Sequence, residues 1–272
     1  MAMSKIQFGC QTYTWQMSYD QYSDAMDHIM GGVAASHFAG IEAEVCMLGK
    51  YRTEPVKLAE ALSRRSLALA AICLVCHWLE SKESDAERAE ADRVIAFLRH
   101  FPGTMLALCQ MPGKDRSHLQ SRQQNCIQCC NAIARRAADA GVPAAFHPNS
   151  PPSSIFRTEE DYKVLLTRLN AQVLGFAPDA GHIANGGMDV ASILRQYASV
   201  IRHVHFKDRA SAGGWALMGK GNIDFPTITT ELKKAGYQGW IMVEDESPLA
   251  EVDPDAATRH NGIYVESTLV SL

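Results

Sequence analysis

Four apolar runs in the second half of the chain stop on side chains that can hold a proton or a cation. VPAAFHPNS ends on His147 and Asn149, VLGFAPDAGH on Asp179 and His182, IRHVHFKD on His203, His205, Lys207 and Asp208, and GWIMVEDE on Glu244, Asp245 and Glu246. Imidazole and carboxylate together suit a divalent metal such as Mn2+, Co2+, Zn2+ or Fe2+, in a site whose open positions a substrate oxygen could fill. Singly, each residue has a plain explanation. An Asp beside a glycine turn, like Asp179, is most often a turn or cap residue, and a loop histidine like His182 is most often a satisfied surface group. His203 and His205 alternate and so share one strand face. Either both are ligands, or His205 is the functional one and His203 packs nearer the strand base. Glu244 follows Ile-Met-Val, where a charge without a partner would be costly. The pointer to a metal site is the joint placement of these groups on four successive strand ends.

The elements that must position them alternate along the whole chain. Strand-like segments IQFGCQTYTW, FAGIEAEVC, LALAAICLVC and TMLALCQM precede the four above. Between them lie helix-like stretches with apolar residues three and four apart, such as Val94, Phe97 and Leu98, or Ile228, Leu232 and Ala235. Gly141 and Gly236 read as helix stops, and Asp85 and Ser117 as N-caps. Eight strands and about eight helices in 272 residues fit an α/β fold, a single (β/α)8 TIM barrel occupying 1–272 as one domain. An open doubly wound sheet would favour a glycine-rich phosphate loop after the first strand, and GCQTYTW has none. In a barrel, the strand C-termini build the active site, which brings the four polar ends into one place.

Composition narrows the function further. With 47% hydrophobic and 21% charged residues the chain is ordinary globular material, and a net charge of −4 without a basic cluster argues against nucleic acid or an anionic membrane as partner. No leader-like N-terminus and no 18-residue apolar run is seen, so a soluble cytoplasmic protein is expected. Cys73/Cys76 and Cys126/Cys129 have zinc-like spacing but fall in an apolar strand and a helix, so they read as packing thiols. Lys220 in MGKGNID lies between glycines in too short a loop to cradle phosphate, and reads as a turn.

At this level of detail the chain resembles the xylose isomerase-like (β/α)8 superfamily of sugar isomerases and epimerases, in its inosose dehydratase-like branch. The resemblance spans about residues 6–247 and rests on FHPNS…RTEEDY, PDAGH, HVHFKD and MGKGNIDFPTI…GYQGWIMVEDE, in that order. It implies one divalent metal, Mn2+ first with Co2+, Zn2+, Mg2+ or Fe2+ as alternatives, held by His147, Asp179, His205 and Glu244. His147 stands where many epimerases have Glu, so it is a fourth ligand or an acid/base; Asn149 replaces the branch's second histidine. The implied reaction removes the proton alpha to the carbonyl of a keto-sugar or keto-cyclitol, with His147 or Glu244 as base. Lys207 and His182 would support the oxyanion. Asn149 and Glu42 are further substrate contacts, though Glu42 could instead orient a ligand, and Trp15 and Trp78 form either a wall against the sugar or plain core. Inosose dehydration or β-elimination from a keto-glycoside is the first expectation. Ketose isomerisation or 3-epimerisation, and a non-catalytic subunit with a degenerate site, are the alternatives; apurinic-site repair is disfavoured by the charge. The partners implied are a small sugar or cyclitol and further copies of the chain in a homo-oligomer.

Overall fold

Apolar runs buried on both faces form parallel strands, and each parallel connection needs a crossover that packs on the sheet. In the computed structural model, which describes residues 6–272, these strands are β1 (Gln7–Gln11), β2 (Gly40–Glu44), β3 (Ala68–Cys76) and β4 (Met105–Gln110), then β5 (Ala144–His147), β6 (Leu174–Phe176), β7 (Val204–Phe206) and β8 (Trp240–Val243). The first five residues, where the leader-free N-terminus was read, lie outside the described residues. Pairing is parallel throughout and follows chain order from β1 to β6, with β8 joining β1 to β7. The ring closes between β6 and β7 by the parallel bridges Phe176–Ile201 and Asp179–His205. There, Arg202 N donates to Phe176 O at 2.9 Å and His205 N to Pro178 O at 2.8 Å. The fold is the expected (β/α)8 TIM barrel.

A principal helix follows each strand: α1 (Met26–Ala35), α2 (Pro55–Ser63), α3 (Asp85–Leu98), α4 (Leu119–Asp139), α5 (Glu159–Arg168), α6 (Val190–Gln196), α7 (Phe225–Lys234) and α8 (Pro254–Tyr264). Their starts are set by local chemistry. Ser84, not Asp85, caps α3: its hydroxyl accepts from Glu87 N while the Glu87 carboxylate takes Ser84 N at 2.9 Å. Asp85 sits instead in the first turn, where it favours the helix dipole. Ser117 is no cap either, because the chain passes through left-handed His118 before α4 begins. Before α1 the chain makes a separate single helical turn, Tyr19–Tyr22. Among the described residues, no helix is long and apolar enough to cross a membrane.

Large side chains such as Phe146, Phe176, Phe206 and Phe225 fill the layer between barrel and helices. Truncating one of these to Ala would cost about 3–5 kcal/mol. The barrel interior is built differently. On the β3–β6 side it is lined by small groups, Ala71, Cys73, Ala107, Cys109, Ala145 and Ala177. On the opposite side stand Glu42, His203 and His205, all buried. Gly9 on β1 is required by closeness: a Cβ there would lie 2.5 Å from Met242 Cε and 2.8 Å from Gly40 O. Small residues on one side and charged ones on the other leave a hollow at the C-terminal mouth.

Candidate functional site

The hollow is a cavity of about 390 Å3, within the usual range for small-molecule sites. At its floor, ligand-type atoms of His147, Asp179, His205 and Glu244 lie within 4.8 Å of one another, and all four residues are buried. Each comes from the end of a different strand, β5 to β8. Asp179 has two jobs at once. Its Oδ1 accepts from His182 N at 2.7 Å and so caps the short helix Ala180–Asn185, while Oδ2 turns to the cluster, 3.8 Å from His147 Nε2. Gly181 in that helix is set by packing, since a Cβ would meet Lys207 O at 2.7 Å.

Unsatisfied atoms at the floor fit a cation. Asp179 Oδ2 and both ring nitrogens of His147 are buried without hydrogen bonds, which is costly unless something positively charged or a donor meets them. His205 Nε2 lies 3.0 Å from Glu42 Oε2 and its Nδ1 lies 3.2 Å from Glu244 Oε2. One ring cannot offer protons to both carboxylates unless it is charged, so a neutral His205 has one nitrogen lone pair beside a carboxylate, a donor set that would suit a divalent cation. Without a metal the proton stays: burial pulls the His205 imidazolium down, but Glu42 and Glu244 outweigh it and hold its pKa at about 10. His147 behaves alike. Burial and His205 lower its pKa, yet Asp179 and Cys109 raise it to about 9. Burial pushes the carboxyls of Asp179 and Glu244 up, but the surrounding His and Lys charges win and keep both well below the usual carboxylate range.

Lys207, 1% exposed, forms the next layer. Its ammonium meets Glu244 Oε1 at 2.5 Å and also Glu246 Oε1 and His182 Nε2, the last at 3.2 Å. Because an ammonium only donates, His182 Nε2 accepts, and its Nδ1–H points to Ser150 Oγ at 2.8 Å. Burial and the Lys207 charge lower the His182 pKa to about 3, so this ring is neutral at the cavity wall. Trp215 packs against both, with its ring centroid 4.9 Å from Lys207 Nζ and its plane near perpendicular to the His182 ring.

Other expected residues land elsewhere. Glu42 does not line the cavity: it lies fully buried beneath the floor, with one oxygen at 2.6 Å from His203 Nε2 and 3.0 Å from His205 Nε2. That is the geometry of a group orienting a ligand, not of a substrate contact, and His203 is the lower, packed histidine of the pair. Trp15 also leaves the cavity. The chain turns into the short helix Tyr13–Gln16 after β1, which buries the indole and directs its N–H to Asp255 at 2.9 Å. Trp78 is likewise core. Asn149 does line the cavity, with Nδ2 tied to Gln110 O at 2.7 Å. The GKG loop is explained by Asp208, whose carboxylate accepts from Gly219 N, Gly221 N and Arg209 N at 2.8–2.9 Å. Those amides are already spent, and Lys220 is exposed beside them. All eight cysteines are free, and Cys73 and Cys109 face the cavity. Sequence reasoning missed Tyr13, Gln16, Trp215 and Met111, which line the mouth from a single helical turn, a two-residue strand and a loop, all too short for a periodicity to mark them.

A family profile described as xylose isomerase-like TIM barrel matches residues 32–262. The rhizopine catabolism protein MocC of Rhizobium meliloti is 34% identical over 143 residues, a match covering 46% of this chain and 42% of that protein. The inosose dehydratase of Geobacillus thermodenitrificans is 25% identical over 256 residues, covering 82% of this chain and 84% of that one. Among solved structures, the IOLI protein with a bound zinc atom superposes with a TM-score of 0.78 at 14% identity, over 98% of this chain and 99% of that one. The barrel and the profile match together establish that the chain belongs to the xylose isomerase-like TIM-barrel family.

Proposed function

We propose that the protein is a divalent-metal-dependent enzyme acting on a keto-sugar or keto-cyclitol by removing the proton alpha to the carbonyl. Its outcome is loss of the oxygen substituent β to the carbonyl, the hydroxyl in inosose dehydration or the aglycone alkoxy group in β-elimination from a keto-glycoside. The observation that carries this reading is the buried His147–Asp179–His205–Glu244 cluster with orphaned donor atoms at the floor of the cavity. Relatives named inosose dehydratase support the substrate class. Asp179, His205 and Glu244 would hold the ion, Mn2+ in our reading, and its charge beside His147 would lower that ring's pKa and keep it neutral, free to act as a base. When bound, such an ion supplies a Lewis acid for the carbonyl and the developing enolate charge.

The chain's own groups do the rest. His147 takes the α-proton, because its ring nitrogens carry no hydrogen bond that protonation would break. Both Glu244 oxygens are already engaged, by Lys207 and His205. Lys207, held cationic by Glu244 and Glu246, places positive charge at the edge of the floor. Neutral His182, with Asn149 and Trp215, shapes the wall against the ring of the substrate. The test is a panel of keto-cyclitols and 3-keto-glucosides incubated with Mn2+-loaded protein in deuterated water, followed by NMR and ultraviolet absorbance. A conjugated, UV-absorbing product is expected. Deuterium uptake or a stereoisomer without elimination would replace the lyase by an isomerase or epimerase, and no change in any ketone would refute the enzyme reading.

A further inference from the structure

Three acids line the cavity, Glu44, Glu244 and Glu246, and two of them are paired with Lys207. Glu44 is different. It is 9% exposed, and none of the ion pairs among the described residues includes it. It stands two residues beyond Glu42 on β2, so both face the barrel interior, with Glu42 beneath the floor and Glu44 at cavity level. The backbone there is fixed by Glu44 N donating to Thr12 Oγ1 at 3.1 Å. Gln16 Nε2 holds Oε2 at 2.9 Å, with the Cys46 thiol at 3.8 Å, while Oε1 meets no donor among the described residues.

A buried carboxyl without a cation is costly when ionised and holds its proton instead. The titratable groups that face it are Glu244, Glu42, His147, Cys46, Tyr13 and Cys73. Burial, reinforced by the Glu244 and Glu42 charges against the Gln16 hydrogen bond, moves its pKa up to about 7. An acid that keeps its proton near neutrality, aimed into a cavity whose floor carries the base, has the chemistry of a proton donor.

We infer that Glu44 is a catalytic residue of the reaction proposed above: the general acid that protonates the departing β-hydroxyl. This rests on that reading. The α C–H bond breaks with its proton going to His147, and its electron pair becomes the new C=C bond. The β C–O bond breaks as the Glu44 O–H proton passes to the leaving oxygen, so water departs and an unsaturated ketone remains. No oxidant or reductant is consumed, and solvent returns the proton from His147 to Glu44.

The experiment separates the two proton transfers. With whichever ketone of the panel the wild type dehydrates, α-deuterium exchange and elimination are followed for wild type, Glu44→Gln and Glu44→Asp, and again with the β-fluoro analogue, whose fluoride leaves without a proton. Glu44→Gln is expected to lose elimination by roughly 10²–10⁴-fold while exchange continues. The fluoro analogue restores its elimination, and Glu44→Asp keeps a measurable rate with the hydroxyl substrate. Unchanged elimination in Glu44→Gln, or exchange and elimination falling together with both leaving groups, overturns the assignment while leaving the site's reading intact. If Glu44→Gln does not fold, the wild-type profile decides: elimination of water must fall as pH rises through about 7 while fluoride loss does not. A wild type that eliminates from no ketone removes the reading and this assignment together.

Discussion

Replacing Glu42 by Gln tests how the floor is held. Both histidine nitrogens approach the same oxygen, His203 Nε2 at 2.6 Å and His205 Nε2 at 3.0 Å, and Oε1 is buried without a partner. A Gln amide of the same shape can present its carbonyl oxygen in that place and turn its NH2 toward the Oε1 position. The two contacts survive; the charge does not. Charge-assisted bonds are roughly twice as strong as neutral ones, so each contact weakens by about 1 kcal/mol and the pair by about 2 kcal/mol. His205 loses the carboxylate that orients its ring and raises its basicity, a change that typically costs 10–100-fold in metal affinity. Glu42→Gln is therefore expected to stay folded and bind Mn2+ about 10–100-fold more weakly, with activity recovering at high Mn2+. Glu42→Ala, which leaves His203 Nε2 and His205 Nε2 buried without the oxygen they share, should instead lose about 3–5 kcal/mol of stability. Chelator competition gives the affinities, and urea unfolding followed by circular dichroism gives the stabilities. Wild-type affinity in Glu42→Gln, in a folded protein, would refute the claim that Glu42 acts through His205.

Three further outcomes are expected. Lys207→Met leaves Glu244 and Glu246 facing each other without their shared cation, so it should destabilise the fold by about 3–5 kcal/mol in urea titrations and abolish turnover. Asp208→Ala frees the Gly219 and Gly221 amides and the loop that carries Trp215; a fall of about 2–4 kcal/mol in stability and a raised KM are expected, against an unchanged KM if the loop plays no part in the cavity. In metal-free protein, Glu44 binds its proton more tightly when folded than unfolded, so its contribution is present below pH 4.5 and lost as pH rises through about 7. A carboxyl held at about 7 in the folded chain contributes about 3 kcal/mol, and the stability difference between wild type and Glu44→Gln should change by about that much between pH 4 and pH 8. A pH-independent difference would contradict it.

The barrel was legible because each strand end is marked by a change from apolar to polar residues, and the same marks gathered His147, Asp179, His205 and Glu244 before any coordinates. Depth along the barrel axis was not legible. Glu42 and Glu44 look alike on one strand face, and only their heights along the barrel axis show that the first meets two histidines of β7 and the residue before it below the floor while the second stands at the cavity. Trp15 follows β1 directly, yet a single turn of helix carries it into the core, where its N–H finds Asp255. Trp215 sits in SAGGWALMGKG, which has no periodic pattern, and is placed at the mouth by a short antiparallel pairing of Arg209 with Trp215 and Asp208 with Ala216, beside the glycine turn that the Asp208 carboxylate pins. Asp179 was readable as either cap or ligand; its two oxygens allow it to cap His182 and face the cluster together.

The central claim, that the floor cluster is a metal centre, is tested most directly by metal content and affinity. Wild type and Asp179→Ala would be stripped, titrated with Mn2+ calorimetrically, and the bound metal counted by elemental analysis. One ion per chain in the wild type, and a loss of tight binding in folded Asp179→Ala, is the predicted result. A wild type that binds no divalent ion, or an Asp179→Ala protein that binds it as tightly, would contradict the account.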